Sequence, residues 1–277
     1  MINISIIIVN YNSGSYLEDC IKSIRDSLSG NYEIIVVDNC SNDKSIDFLA
    51  NDLSGYENIK LINNSKNIGF AAANNVGVLH SSGRLLHFLN PDTIVNNELN
   101  KSYDASLDDY IYITPLLDAD GKKVKTDHLL PFVINYIKYL LPWCVVEKWY
   151  TGASIIMNKV TFDKLGGWSE DYFMYSEDLD LFYKSSLMGI KVKELNAKIV
   201  HVGEGSTSAV WSEKRRLINI ESSYYKFSQK YKKIPDYYIY RILCILKLLF
   251  YKPRLAWLQI VVMWHAVVRN NYNLSAV

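Results

Sequence analysis

The chain has little cysteine and uses none of it in pairs. Cys20, Cys40, Cys144 and Cys244 are the four, and no two lie close enough for a zinc knuckle or a redox pair. A reducing compartment fits, and Cys20 falls on an apolar helix face, the place of a core residue. The opening Met-Ile-Asn-Ile runs straight into a strand-like segment with no basic region or cleavage site, so no secretory leader is expected. Neither of the two most apolar stretches, Tyr237 to Tyr251 and Leu255 to Val268, reaches the roughly 20 residues of a spanning helix. Internal repeats, low-complexity tracts and coiled-coil heptads are missing too. No nucleophile motif argues for a covalent intermediate.

Acid is scarce in one part of the chain only. Residues 1–210 hold 18 Lys and Arg against 26 Asp and Glu, a net of −8, whereas residues 211–277 hold 12 against 3, a net of +9. The split predicts an acidic unit over 1–210 and a basic, aromatic, helical region over 211–277, facing different surroundings. At 277 residues and 49% hydrophobic content, the chain can bury a large core.

What is present is a β-α alternation. Ile4 to Asn10 and Tyr32 to Asp38 are nearly continuous β-branched runs, the mark of strands covered on both faces. Leu17, Cys20, Ile21, Ile24 and Leu28 mark a helix face between them, and Gly30 can end that helix. Ile59 to Ile62 and Arg84 to Leu89 predict two further strands, with a helix-compatible Gly69 to His80 between them. Strands alternating with helices imply an α/β, doubly wound sheet, in which ligands bind outside the carboxyl ends of the strands. Asn10, Tyr11, Asp38, Asn67 and Asp92 are the polar residues expected there. Further on, Asn96 to Leu107 is expected to be helical, Tyr110 to Ile113 extended, Asp118 to Gly121 a hairpin turn, and Leu129 to Val146 a loop or broken helix over a cleft. Ala153 to Met157 and Lys198 to Val202 predict strands, with Val160 to Leu165 a short helix and a Gly/Ser/Thr loop after His201.

The stretch from Tyr172 to Leu181 brings two adjacent carboxylates, Glu177 and Asp178, to the first turn of a predicted helix. Ser176 suits its N-cap and Gly189 its end. Acids in a first turn complement the helix dipole, and that alone could explain them. Two literal Asp-x-Asp strings, Asp118 to Asp120 and Asp178 to Asp180, do not suit a metal: the first sits in a turn, and residues two apart on a helix diverge.

Taken in order, Ile7 to Asn12, Ile35 to Asn39, Asn67 to Asn75, Leu89 to Asp92, Gly152 to Ser154, Gly166 to Trp168 and Glu177 to Leu181 resemble the inverting glycosyltransferases of family 2. The pattern is most similar to the rhamnosyltransferase-type subgroup. The resemblance implies a GT-A fold over 1–210, with a nucleotide half of about 1–95 and an acceptor half of about 96–210. It implies that Asp38 accepts from a pyrimidine N3–H, with Tyr11 against the base and Asn67 near the nucleotide. The family's Asp-x-Asp metal motif reads Asn90-Pro91-Asp92 here, so one acid is missing. A divalent cation (Mn²⁺ or Mg²⁺) would rest on Asp92 and His201, completed by the donor diphosphate and water. Asp178 matches the general base, kept ionised by the helix N-terminus, with Glu177 supporting it and Trp168 beside the sugar or acceptor. The implied donor is a nucleotide sugar, with dTDP-L-rhamnose the best fit and a UDP-sugar the alternative. The implied acceptor is a glycan or a polyprenyl-diphosphate-linked glycan. A sugar-nucleotide pyrophosphorylase would need a Gly-rich, Arg-containing loop where Asn10 to Gly14 stands. A non-catalytic assembly factor on a degenerate fold is the other alternative, kept open by Asn90.

The two apolar stretches of 211–277 suit helices lying in the interface of an anionic membrane, which places the protein on the cytoplasmic face. Folding onto the acidic unit or onto a second copy, as a homodimer, is the alternative. No recognition motif accompanies the positive charge, so nucleic acid is not an expected partner.

Overall fold

The computed structural model describes residues 3–51, 58–103, 109–141, 143–203 and 212–268. In the first half, strands and helices alternate as Ile4–Asn10 (β1), Tyr16–Ser27 (α1), Tyr32–Asp38 (β2), Asp47–Asn51 (α2), Ile59–Asn63 (β3), Phe70–Leu79 (α3) and Leu85–Leu89 (β4). Because side chains alternate across a strand, β1 feeds two cores at once. Ile6 and Ile8 pack with Leu17, Cys20, Ile21 and Ile24 of α1, while Ile7 and Val9 pack with Ala71, Ala73 and Val78 of α3. That is why the run from Ile6 to Val9 is unbroken apolar sequence, with Ser5 before it bonded to Glu33.

The second half is more irregular. It holds Thr93–Ile94 (β5), Glu98–Tyr103 (α4), Tyr110–Ile113 (β6), Leu116–Leu117 (β7), Asp127–Leu129 (β8), Val133–Tyr139 (α5), Lys148–Tyr150 (β9), Ser154–Asn158 (β10), Lys159–Lys164 (α6), Glu177–Leu187 (α7), Lys191–Glu194 (β11) and Ile199–His201 (β12). The main sheet has the order β11-β6-β10-β4-β1-β2-β3. It is mixed, because β10 runs antiparallel to β4 and β6 while the other pairs are parallel. The reversal matters for position: Ser154 lies opposite Leu89, so the chain enters β10 at the carboxyl edge of β4. A small sheet, β5-β12-β7, flanks that edge, and β8 pairs with β9.

Several expectations need adjustment. Between Leu129 and Val146, where a loop or broken helix is expected, the short helix α5 forms: Leu130 and Phe132 are buried before it, and the Asn135 side chain bonds the backbone of Leu130 and Glu147. Ser176 is the N-cap of α7 by position only, since it has φ +66° and its side chain caps nothing. The expected turn at Asp118 forms, with Gly121 N–H donating to the Asp118 carbonyl at 2.9 Å. Residues 104–108, expected to be the end of a helix, and most of the loop after His201 lie outside the described residues.

Glu213–Lys230 (α8), Ile234–Tyr251 (α9) and Pro253–Val268 (α10) form the basic region. They build a third core in which Tyr224 and Phe227 of α8 and Tyr237 of α9 meet Leu130, Phe132, and Leu179 and Tyr183 of α7. Among the described residues no helix is long and apolar enough to cross a membrane.

Candidate active site

The carboxyl edge of the main sheet carries a ring of segments bonded each to the next. At the end of β1, Asn10 is fully buried, and its Nδ2 donates to Asp38 Oδ1 at 2.8 Å and to the hydroxyls of Ser41 and Ser45. Its Oδ1 accepts from the Ser13 hydroxyl. The side-chain atoms of Asn10 are therefore engaged inside the protein, and one of their bonds holds Asp38 in place. Asp38 is held a second time by the Ser41 N–H at 2.9 Å, which fixes the carboxylate at the end of β2. Tyr11 is half-buried beside them.

Asn39 is the hub that the sequence reading passed over. Buried directly after Asp38, it donates from Nδ2 to Asn67 Oδ1 at 2.9 Å and to the Gly69 carbonyl. Its Oδ1 accepts from Asn64 and from the Ile68 N–H. Asn67 is thus bound to the β2 edge and caps the Gly69 N–H. The one available signal was Asn39 itself, placed between Asp38 and a polar turn.

Gly69 makes the next link. It has φ +89°, and a Cβ there would lie 2.4 Å from the Phe173 carbonyl oxygen, so only glycine fits. That approach lets Phe70 N–H donate to the same oxygen at 3.0 Å. The start of α3 is thereby joined to the segment that leads into α7. Asn75 strengthens the joint, donating to the Trp168 carbonyl and accepting from the Trp168 N–H.

At the mouth of α7, Asp178 is half-buried and Glu177 buried. Asp178 Oδ1 accepts from the Leu179 N–H at 2.8 Å and Oδ2 from the Gly152 N–H at 3.2 Å. Gly152 stands just before β10, which puts Asp178 at the same sheet edge as Asp38. The helix end is expected to keep Asp178 ionised, and at neutral pH a carboxyl near 6 still is, but burial rather than the dipole dominates its titration. Burial pushes its carboxyl up to about 6, and the two N–H donors only partly offset this. Glu177 is raised well above the carboxylate range, first by burial and then by the charge of Asp178, and its Oε2 has no hydrogen-bond partner among the described residues. Asp180, two residues on, is elsewhere: fully buried, it accepts from Tyr172 and Tyr231 and pairs with Lys230 at 2.9 Å.

The ring closes through β4. Asn90 N–H donates to the Ala153 carbonyl, and Asp92 follows. Antiparallel pairing of β12 with β5 sets His201 opposite Thr93, bringing His201 Nε2 to 3.2 Å from Asp92 Oδ1. An imidazole and a carboxylate this close suit two positions of one divalent ion. No third His, Cys, Asp or Glu joins them among the described residues. The pair therefore fits a cation that takes its other oxygens from a ligand and water.

Trp168 is placed differently from the resemblance. It is 2% exposed, edge-on to Phe88 and Phe70, in the core beneath α7. Its ring edge comes within 4.0 Å of a Cβ built on Gly152, beneath the glycine whose N–H donates to Asp178.

The sequence profile of Glycosyl transferase family 2 matches residues 5–180, well over half of the chain and all of the ring except His201. The chain belongs to that family. It is 28% identical over 208 residues to the low-salt glycan biosynthesis hexosyltransferase Agl10 of Haloferax volcanii, covering 69% of the chain and 64% of that protein. It is 26% identical over 203 residues to the rhamnosyltransferase WbbL of Escherichia coli, covering 63% and 75%. The chain spans 51% and 64% of the length of two of the curated relatives it matches, and about a third of several others. Among solved structures it is similar to S. aureus TarS in complex with UDP-GlcNAc, with a TM-score of 0.57 at 18% identity over 80% of this chain and 65% of that one. It is also similar to the Pyrobaculum calidifontis mannosyltransferase PcManGT in complex with GDP-Man and Mn²⁺, with a TM-score of 0.59 at 15% identity over 98% and 87%. These likenesses show the GT-A fold with its mixed central sheet and C-terminal helices.

Proposed function

We propose that the chain transfers a sugar, with inversion, from a nucleoside-diphosphate donor to a hydroxyl of a lipid-linked or polysaccharide acceptor in bacterial surface glycan synthesis. The observation that carries this reading is Asp178: a carboxylate with a pKa of about 6, at the same sheet edge as Asp38 and Asp92. A general base works best with a pKa near the working pH, where it is ionised yet still draws a proton. In the reaction the acceptor oxygen forms its bond to the anomeric carbon as the bond from that carbon to the diphosphate oxygen breaks. The hydroxyl proton passes to Asp178. Glu177, buried beside Asp178, orients the acceptor or the loop that holds it.

Asp38 takes the N3–H of a pyrimidine, a role that calls for an acceptor fixed in place. Tyr11 covers the base, while Asn67 borders the nucleotide. Asp92 and His201 would hold Mn²⁺ or Mg²⁺, which supplies electrostatic stabilisation of the departing diphosphate. dTDP-L-rhamnose is the preferred donor, on the subgroup motifs and on the likeness to a relative named as a rhamnosyltransferase. A UDP-sugar is the second reading, because Asp38 accepts from uracil N3–H as readily as from thymine. We place the protein on the cytoplasmic face of the membrane, with residues 211–277 towards anionic lipid.

The test is thermal unfolding with TDP, UDP, GDP and CMP, each with and without Mn²⁺. A ligand at 100 times its Kd stabilises by about 2.7 kcal/mol, a shift of several degrees. Selective stabilisation by TDP with Mn²⁺ is expected. A response to UDP alone would discard the rhamnosyl donor, and no response to any nucleotide would favour the non-catalytic reading.

A further inference from the structure

Away from the cleft, apolar side chains gather on one side of the molecule. Helix α5 turns Ile134 and Ile137 outward, and the chain beyond it exposes Leu140, Trp143 and Val145, at 76%, 78% and 85%. Helix α9 exposes Ile239, Ile242, Leu243, Leu246, Leu249 and Phe250, whose spacing of three and four makes one stripe. Helix α10 exposes Trp257 and Trp264, seven residues apart and so on one side of that helix.

The first two stripes adjoin. Val133 N–H donates to Asp236 Oδ1 at 2.9 Å, and the Tyr136 and Tyr240 rings stack at 5.1 Å. The two helices therefore run side by side in the same direction, with the end of α5 level with the middle of α9. On the inner side the same elements are fixed to α7, through Phe132 and Tyr237 in the core that holds Leu179 and Tyr183. The surface and the helix bearing Asp178 form one packed body.

Charge selects the occupant. From Tyr237 to Val268 there is no Asp or Glu, while Arg241, Lys247, Lys252 and Arg254 are present. Arg241 is taken by Glu221 at 2.6 Å, and Lys247, Lys252 and Arg254 are exposed. A second copy docked face to face would bring these cations together with no acid from the stretch between them. Exposed apolar residues with Trp and Tyr beside unpaired Lys and Arg match the headgroup region of an anionic bilayer.

We infer that α5, with Leu140, Trp143 and Val145 after it, and α9 form a single surface that lies in the interface of an anionic membrane. This extends the membrane contact from residues 211–277 into the catalytic unit. It rests on the transferase reading only for its purpose: an acceptor anchored in lipid would then meet α7 at a fixed height.

The experiment is flotation of the full-length protein with phosphatidylcholine vesicles, with and without phosphatidylglycerol. The variants are Leu140→Glu/Trp143→Glu on the α5 side and Leu246→Glu/Phe250→Glu on α9. Binding that requires phosphatidylglycerol is expected, weakened at least about tenfold by either pair, since each removes two large apolar contacts. All these positions are exposed, and thermal stabilisation by nucleotide checks that the cleft is intact. Unchanged binding in Leu140→Glu/Trp143→Glu would remove α5 from the surface. No binding by the parent protein would overturn the inference, as would a dimer in gel filtration that either pair dissociates. Nucleotide response reads the cleft and flotation reads this face, so failure of one leaves the other standing.

Discussion

At the scale of single residues, Asp178 and Glu177 decide the pH behaviour. Asp178→Asn should reduce transfer by several orders of magnitude while leaving nucleotide stabilisation unchanged; near-normal turnover would remove it from the base role. As a base with a raised pKa, Asp178 predicts kcat/KM that climbs as pH passes through about 6. Stability should move the other way. A carboxyl whose folded pKa lies above its unfolded value keeps the fold most stable below the unfolded pKa, near 4, and gives that stability up as pH rises through about 6. Urea unfolding across that window would reveal the opposition, and Glu177→Gln should raise stability at neutral pH, because folding no longer has to take up a proton at this buried carboxyl. The two acids were legible in the sequence as neighbours in a first turn. Their ionisation was not, because first-turn acids are usually exposed, and only the structure shows burial prevailing over the dipole.

At the scale of elements, the joint between α3 and the approach to α7 sets the shape of the cleft. Gly69→Ala forces both a strained φ and a clash with the Phe173 carbonyl, so we expect a loss of about 1–3 kcal/mol or more and weaker nucleotide response. Circular dichroism melts with and without nucleotide would read both. The long buried strands were plain in the sequence because β1 and β2 are apolar on both faces. β11 was missed because Lys-Val-Lys-Glu at a solvent edge carries almost no apolar signal. β5, β8 and β9, at two or three residues, are shorter than any pattern. The bond from Asn10 to Asp38 was hidden for a related reason: a polar residue at a strand end looks the same whether or not it holds its neighbour.

At the scale of the molecule, the basic region is packed against the acidic unit as well as offering an outer face. Tyr224, Phe227 and Tyr237 complete a core begun by α7 and the segment before α5, and Glu221 pairs with Arg241 inside it. Deleting residues 212–277 should therefore expose that core and yield an aggregating chain rather than a soluble catalytic fragment. Light scattering of the truncated protein checks this, and a monodisperse, nucleotide-responsive fragment would contradict it. Composition announced that the two parts differ in charge, but could not announce that they share a core, since the shared residues are aromatic in both.

The grip of Lys230 and Tyr231 on Asp180 bears on how the protein is made. The helix that presents Asp178 is anchored by residues some 50 positions further along the chain. On the ribosome, the first three strands and their loops can assemble early, yet α7 lacks its anchor until α8 has emerged. The nascent chain should thus be able to hold a nucleotide well before it can use one, and catalytic competence should appear late in synthesis.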